Sequence, residues 1–301
     1  MKTRRAALLV ILLAACSVLW AAQDADNEST IDVRNQPTTQ PAKLMAGAAS
    51  VKSGKAPDED ASAEAALLGS INRSRAQAGA APLRMDDSLR TAARAHALLM
   101  VAKHQLEHNF PGEPSLLQRI ADVSSLALDR AGENIAVAAC PDDAAEELYH
   151  SPPHRENLLN PGFNLAGVAA IWSHGHLYVV QDFAHEVPSY SARETEKLVG
   201  SAIDEMRRNA GLAELAEVNL PHLDDAACNL ARQARPNAHL LAATYANRKI
   251  VTYTQSEPER LPDAASRLLT DPNVHQVAVG ACYARNANYP TGMYWIAVLL
   301  N

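Results

Sequence analysis

Gly132-Glu133-Asn134-Ile135-Ala136, followed by Ser151-Pro152-Pro153-His154-Arg155-Glu156-Asn157-Leu158-Leu159-Asn160-Pro161, sets a carboxylate and an imidazole in two short segments punctuated by glycine and proline. Such punctuation gives a stiff backbone that can aim polar side chains into a cleft. A further imidazole, His108, lies upstream. Together these residues predict a small His/Glu pocket.

Leu67, Leu68 and Ile71 stand at helical spacing upstream, and predict a helix that ends at Gly79. Asp86 or Asp87 is the expected N-cap of a second helix with the apolar stripe Leu89, Ala92, Ala93, His96 and Met100, in a segment that runs out near Phe110-Pro111-Gly112. Downstream, Leu165 to Trp172 and Leu177 to Ala184 read as two strands joined by the turn Ser173-His174-Gly175-His176. Helices followed by an antiparallel hairpin, with long connecting loops, predict an α+β domain over residues 63–187. A domain of that size buries its own core.

The remaining third reads as a second copy of the first domain. Ile71, Arg75, Gly79 and Leu83 recur at unchanged spacing as Ile203, Arg207, Gly211 and Leu215. Ala92-Ala93-Arg94-Ala95-His96-Ala97 is echoed by Ala226-Ala227-Cys228-Asn229-Leu230-Ala231, and Leu158-Leu159-Asn160-Pro161 by Leu269-Thr270-Asp271-Pro272. A second strand pair, Val277 to Ala284 and Met293 to Leu300, follows. The expectation is a degenerate second copy over residues 188–301. In it the position of His154 falls at or near Ala265, His96 becomes Leu230, and no Gly-Glu-Asn run survives. A fold kept while its polar pocket is lost is what residues serving a site, rather than the core, would leave behind.

At the other end, Lys2, Arg4 and Arg5 precede the apolar run Ala6 to Ala15, too short to span a bilayer. Leu13-Ala14-Ala15-Cys16 fits a bacterial lipoprotein signal over residues 1–16, with Cys16 acylated; cleavage after Ala22 is the alternative. Residues 17–62 are polar and poor in apolar side chains, and predict a disordered tether. The net charge of −7, more acidic still once the basic signal is removed, argues against nucleic acid and against an electrostatic grip on lipid. Membrane contact is expected only through the lipid anchor. The expected location is the cell envelope, with secretion or the periplasm as the alternative. Cys228 and Cys282 share the C-terminal segment and form the expected disulfide, leaving Cys140 free.

Other features read more plainly. His104-Gln105-Leu106-Glu107-His108 matches the H-x-x-E-H pattern of a metallopeptidase helix, but Asn109-Phe110-Pro111-Gly112 ends such a helix at once. His96 on its apolar stripe reads as a core histidine, His174 and His176 as solvated turn residues, and Ser151 before two prolines as a turn and N-cap. There is no Gly-x-Ser-x-Gly elbow and no phosphate loop.

Residues 65–185 resemble the CAP/SCP superfamily (cysteine-rich secretory, antigen 5 and pathogenesis-related proteins), in its bacterial exported branch. The resemblance rests on Asn72 with Arg75, Gly79 through Leu83, Ala93 through Met100, His108 with Arg119, Gly132 through Ala136, Ser151 through Pro161, Gly167-Val168 and Gln181-Asp182-Phe183. It implies an α-β-α sandwich with an open cleft lined by His108, Glu133 and His154. Larger members of the family place a second glutamate shortly after a tryptophan; here those positions are Ser151 and Leu148, with Glu147 the nearest substitute.

The resemblance also implies a divalent cation, Zn2+ or similar, on His108 and His154 with water in the open positions. A metal-free His–Glu network is the alternative. Arg119, Arg155 and Asn157 are expected along the cleft, as ligand contacts or as braces. The resulting expectation is an exported, non-enzymatic protein that binds a small ligand, lipid included, or an envelope component. The alternative is a metal-assisted hydrolase, a peptidase or cell-wall enzyme, using His108, Glu133 and His154. A third reading is an adhesive role with the second copy as partner surface.

Overall fold

A computed structural model describes residues 58–301 and the backbone of residues 30–32. The predicted signal with Cys16, and most of the predicted tether, lie outside the described residues.

Asp60 sets the start of the ordered chain. Its carboxylate accepts the backbone N–H groups of Ser62 and Ala63, each at 3.0 Å, and so caps helix α1 (Ala61–Gln77). It also takes the Trp172 indole N–H at 3.0 Å. Hydrogen bonds led by the Ser62 side chain draw its pKa down to about 2. Strand β2 (Asp58–Glu59) already pairs with the hairpin, and a short β1 (Thr30–Asp32) precedes it. The folded unit therefore includes residues 58–62, which the composition alone had assigned to the tether.

After β3 (Arg84–Met85), helix α2 (Asp87–Lys103) is capped by Asp86, whose carboxylate accepts from Ser88 and Leu89 at 2.9 and 3.1 Å. It stops at His104, which takes the left-handed conformation (φ 53°), well before Phe110. Helix α3 (Leu116–Val123), β4 (Leu128–Ala138), α4 (Pro141–His150), α5 (Pro152–Leu159), β5 (Leu165–Ser173) and β6 (His176–Glu186) complete the front half. The sheet runs β1-β4-β6-β5-β2, with β3 parallel to β5 at the side.

Alternation along the strands divides the core in two. Val168, Ala170, Val179 and Phe183 pack under α1, α4 and α5, against Leu67, Ile71, Leu148 and Leu158. Ala169, Ile171, Tyr178 and Val180 pack under α2, against Ala93, Ala97 and Met100. The result is the α-β-α sandwich expected. A Cβ built on Gly167 would lie 2.1 Å from the Leu89 carbonyl carbon, so α2 rests on β5 in direct backbone contact.

Arg75 is wholly buried and joins the end of α1 to the chain beyond α5. It donates to the carbonyls of Ala81 (2.7 Å), Leu158 (2.9 Å), Asn160 (2.8 Å) and Phe163 (3.2 Å).

The rest of the chain forms α6 (Ala192–Asn209), β7 (Ala216–Glu217), α7 (Leu223–Arg232), α8 (His239–Ala242), β8 (Lys249–Gln255), α9 (Ser266–Leu269), β9 (Gln276–Asn286) and β10 (Tyr289–Leu300). Its sheet runs β7-β9-β10-β8, between a core under α6 and α9 and another under α7. Arg207 donates to the carbonyls of Ala213 (2.7 Å), Leu269 (2.8 Å), Asp271 (3.2 Å) and Val274 (3.3 Å). A Cβ on Gly280 would lie 2.6 Å from the Leu223 carbonyl carbon. The Cys228–Cys282 disulfide joins α7 to β9 across a Cα–Cα distance of 5.1 Å, and Cys140 is free, as expected.

The halves meet through Arg285, which donates to the carbonyls of Ala121 (3.1 Å), Ser124 (2.7 Å) and Leu126 (3.1 Å) around the end of α3. Thr291 donates to Leu128 O at 3.0 Å, and Met293 packs among Leu116, Leu117 and Ile120. No helix among the described residues is long and apolar enough to cross a membrane.

Candidate functional site: a buried carboxylate between two histidines

Glu133 and Asn134 lie in the middle of β4. Because successive strand residues face opposite ways, Asn134 turns to α5 and Glu133 to α2 and α3. Asn134 donates to His154 O at 3.1 Å and to Gln181 Oε1 at 3.3 Å. Glu133 is 2% exposed. Its Oε1 meets His108 Nδ1 at 2.9 Å, and its Oε2 accepts from the Arg119 guanidinium.

Burial pushes the Glu133 carboxyl up, but the His108 hydrogen bond and the Arg119 charge outweigh it, and the net displacement is downward. Glu133 is therefore ionised at neutral pH and can only accept. His108 must therefore carry a proton on Nδ1, and Nε2 is the ring nitrogen that Glu133 does not engage. The His108 side chain is 21% exposed.

Arg119, on α3, also reaches Glu113 Oε1 and His108 O, each at 3.3 Å. Glu113 in turn holds His96 Nδ1 at 2.6 Å, while His96 Nε2 meets Glu107 O at 2.9 Å. His96 is fully buried and satisfied, as its place on the stripe predicted. It is also the inner end of a continuous polar chain: His96, Glu113, Arg119, Glu133, His108. This polar chain had no signature in the sequence beyond its separate members.

Asp182 is the strand-pairing partner of Glu133 across β4 and β6. It is 0% exposed, and neither of its carboxyl oxygens has a hydrogen-bond partner. Two ionised carboxylates side by side in a dry sheet face would repel strongly. Burial, and then the Glu133 charge, push the Asp182 carboxyl well above its usual range, with Arg119 opposing. Asp182 is thus held protonated beside Glu133. Gln181-Asp182-Phe183 carries part of the family resemblance, but the role of Asp182 is marked in the sequence only by an acid that follows the apolar run Leu177 to Val180.

The protonation of Asp182 gives a signed prediction. In the unfolded chain Asp182 ionises near 3.8, whereas in the folded chain it holds its proton to higher pH. The folded state then binds the extra proton, so this residue lowers stability as pH rises above that value, by about 1.4 kcal/mol per pH unit until it ionises in place. Asp182→Asn keeps a neutral polar side chain beside Glu133 and removes that slope. Urea unfolding from pH 4 to 8 should show the variant gaining on wild type as pH rises; parallel curves would mean Asp182 is ionised in the folded protein.

His154, on α5, is partly buried beside this cluster. Its Nδ1 is buried without a hydrogen-bond partner. Burial first, and the neighbouring His108 second, lower its pKa below 6.5, so the ring is neutral at pH 7. Asn157 is fully buried and donates to Glu133 O (3.2 Å) and Asn134 Oδ1 (3.0 Å), which makes it a brace beneath the cluster and not a cleft contact. Arg119 is likewise a brace, 7% exposed. Arg155 is exposed and bonded to none of the cluster, because one helical step past His154 turns it away.

Glu147 is exposed on α4 and bonded to none of these residues, its carboxyl pushed up by burial and by Asp143. Leu148 is core beneath α1, and Ser151 caps α5 ahead of Pro152. The H-x-x-E-H pattern has no common helical face, since α2 ends at Lys103.

A built zinc site needs three or four protein donors. Among the described residues no group of three His, Cys, Asp or Glu side chains is placed to hold a metal ion. Both oxygens of Glu133 and the Nδ1 of His108 are already engaged. The donor set does not fit a built metal site. The expectation of a divalent ion rests on His108 Nε2 and His154 alone, and no step below passes through a metal.

Comparison with known proteins places residues 68–183 on the CAP family model, described as the cysteine-rich secretory protein family. The chain is similar to the uncharacterized protein YkwD of Bacillus subtilis, 31% identical over 121 residues, which cover 39% of this chain and 46% of that protein. It thus spans under half the length of that curated relative. Among solved structures, an outer surface protein of Borrelia burgdorferi is 19% identical over 44% of this chain and 99% of that one, with a TM-score of 0.41. An extracellular SCP-domain protein of Bacillus anthracis is 26% identical over 42% of this chain and 41% of that one, with a TM-score of 0.37.

Proposed function

We propose that this is an exported protein whose front half binds a small ligand or envelope component through His108 and His154, without hydrolysing it. The observation that carries this reading is the state of Glu133. Both its oxygens are engaged, it is buried, and its carboxyl is held low. Such a carboxylate is a weak base with no room to take a proton from water, whereas a general base works best near the operating pH. Its role is to fix the His108 ring. The partly exposed groups with unspent hydrogen-bonding capacity are the two imidazoles.

Export agrees with the signal-like start of the sequence, with Cys16 as the acylated residue, and with the disulfide, which needs an oxidising compartment. The back half is read as a degenerate copy of the fold. Arg207 repeats the carbonyl bonds of Arg75, and Gly280 meets Leu223 as Gly167 meets Leu89. From these glycines, strand register carries Asp182 onto Ala297 and Glu133 onto Thr252. The copy keeps the frame and lacks the polar pair.

Native mass spectrometry of protein purified from its own envelope tests the reading. The expected result is a bound adduct that disappears in the His108→Ala/His154→Ala variant while the melting temperature is kept. Turnover on a peptide or peptidoglycan panel that the same double substitution abolishes would overturn it in favour of a hydrolase.

A further inference from the structure

Helices α1 and α6 hold the same place against their sheets, since Arg75 and Arg207 make corresponding carbonyl bonds near their ends. They differ in what covers them. On α1, residues Leu67, Ser70, Ile71 and Ser74 meet Ala145, Leu148 and Tyr149 of α4, and only about 10 Å³ is left between them. On α6, Ser70 and Ser74 correspond to Ala202 and Met206, which with Glu205 and Asn209 face Glu259 and Leu261 across an open groove of about 350 Å³. The difference lies in the connecting segment. The front half crosses this face with the ten-residue helix α4, whereas no helix lies between β8 and the short turn at Asp263–Ala265.

We propose that this groove is a docking seat for a basic amphipathic helix of a partner protein, lying where α4 lies on the front half. The surface is separate from the His108 and His154 cluster, and the proposal holds or fails independently of what that cluster binds. It rests on the correspondence of the two halves. The floor is apolar, because Met206 and Leu261 are half-buried against the core under α6. The rim is acidic: Glu205 and Glu259 are exposed there, and no basic side chain lines the groove.

The charge fixes the partner's chemistry. α4 itself carries Asp142, Asp143, Glu146 and Glu147 and would be repelled, so the seat does not suit α4 of a second copy. A helix with small and aliphatic residues at i, i+3 and i+4 spacing and flanking lysines or arginines fits both the floor and the rim.

A lactam-bridged peptide, its helicity verified by circular dichroism, serves as the probe. It carries the α4 residues Ala144, Ala145, Leu148 and Tyr149, with lysine in place of each of the four α4 acids. Fluorescence anisotropy against the mature chain should show saturable binding at least tenfold tighter than that of the acidic parent peptide. Glu205→Lys/Glu259→Lys, both at exposed positions, should reverse that order, and Met206→Lys should abolish binding. Absence of saturable binding, or binding indifferent to these variants, overturns the proposal. A wild-type dimer by sedimentation that Met206→Lys disperses would also overturn it, by making a second copy the occupant. Gain of peptide binding only after removal of residues 17–57 would do the same in favour of the chain's own N-terminal segment.

Discussion

Arg75→Ala should destabilise the protein by about 4 kcal/mol or more in urea unfolding at pH 7, a large part of the stability of an ordinary domain. The guanidinium is 0% exposed and supplies the donors for the carbonyls of Ala81, Leu158, Asn160 and Phe163. Each buried acceptor left without a donor costs about 1–3 kcal/mol, and truncation also leaves a cavity. Lysine is a poor replacement, because its ammonium lacks the planar fork that spans carbonyls from separate segments. Arg207→Ala should produce a loss of similar size through Leu269, Asp271 and Val274. A loss below about 1 kcal/mol in either variant would mean that water replaces the arginine freely, and that these arginines do not organise the two halves.

Glu133→Gln is expected to cost about 3–5 kcal/mol at pH 7, because it leaves the buried Arg119 charge without its main partner. The pH dependence carries a sign. The folded carboxyl lies below its ordinary value of 4.5, so its contribution is complete above that pH and is lost as pH falls through the lower folded value. Wild type and variant should therefore converge on the acid side. Arg119→Met introduced into the Glu133→Gln background should recover part of the loss, since it removes the orphaned charge; a purely additive double variant would deny that the pair is coupled. Far from the cluster, Arg84→Ala serves as control, because its ion pair with Glu186 is surface-exposed and worth little.

Periodicity located what periodicity can encode. The hairpin strands were placed within a few residues of β5, β6, β9 and β10, and α1 and α2 followed from their stripes and the acidic caps. β4 escaped notice because buried Asp129, Glu133 and Asn134 break its apolar run, which is the price a strand shows in sequence when it carries a site. β8 escaped because Thr252, Thr254 and Gln255 mix with its apolar residues.

Within the site, His108, Glu133 and His154 were legible from motif order. Their roles were not. Whether Arg119 and Asn157 line a cleft or brace an acid depends on burial, and the protonation of Asp182 depends on a strand register that only the fold supplies. Arg155 is exposed and bonded to none of the cluster, and adjacency in sequence on a helix separates side chains by about 100°. The start of the folded unit was set too late because Asp60 acts through a cap and a distant tryptophan.

If Glu133 is a brace that fixes one imidazole edge toward the ligand, the His108 ring must keep its Nδ1 protonated. Long-range 15N–1H NMR of that ring at pH 7 should show a protonated Nδ1 in wild type, and loss of that preference in Glu133→Gln. A proton on Nε2 with Nδ1 bare, or a ring spectrum indifferent to Glu133→Gln, would contradict the pairing from which the proposed binding role is drawn.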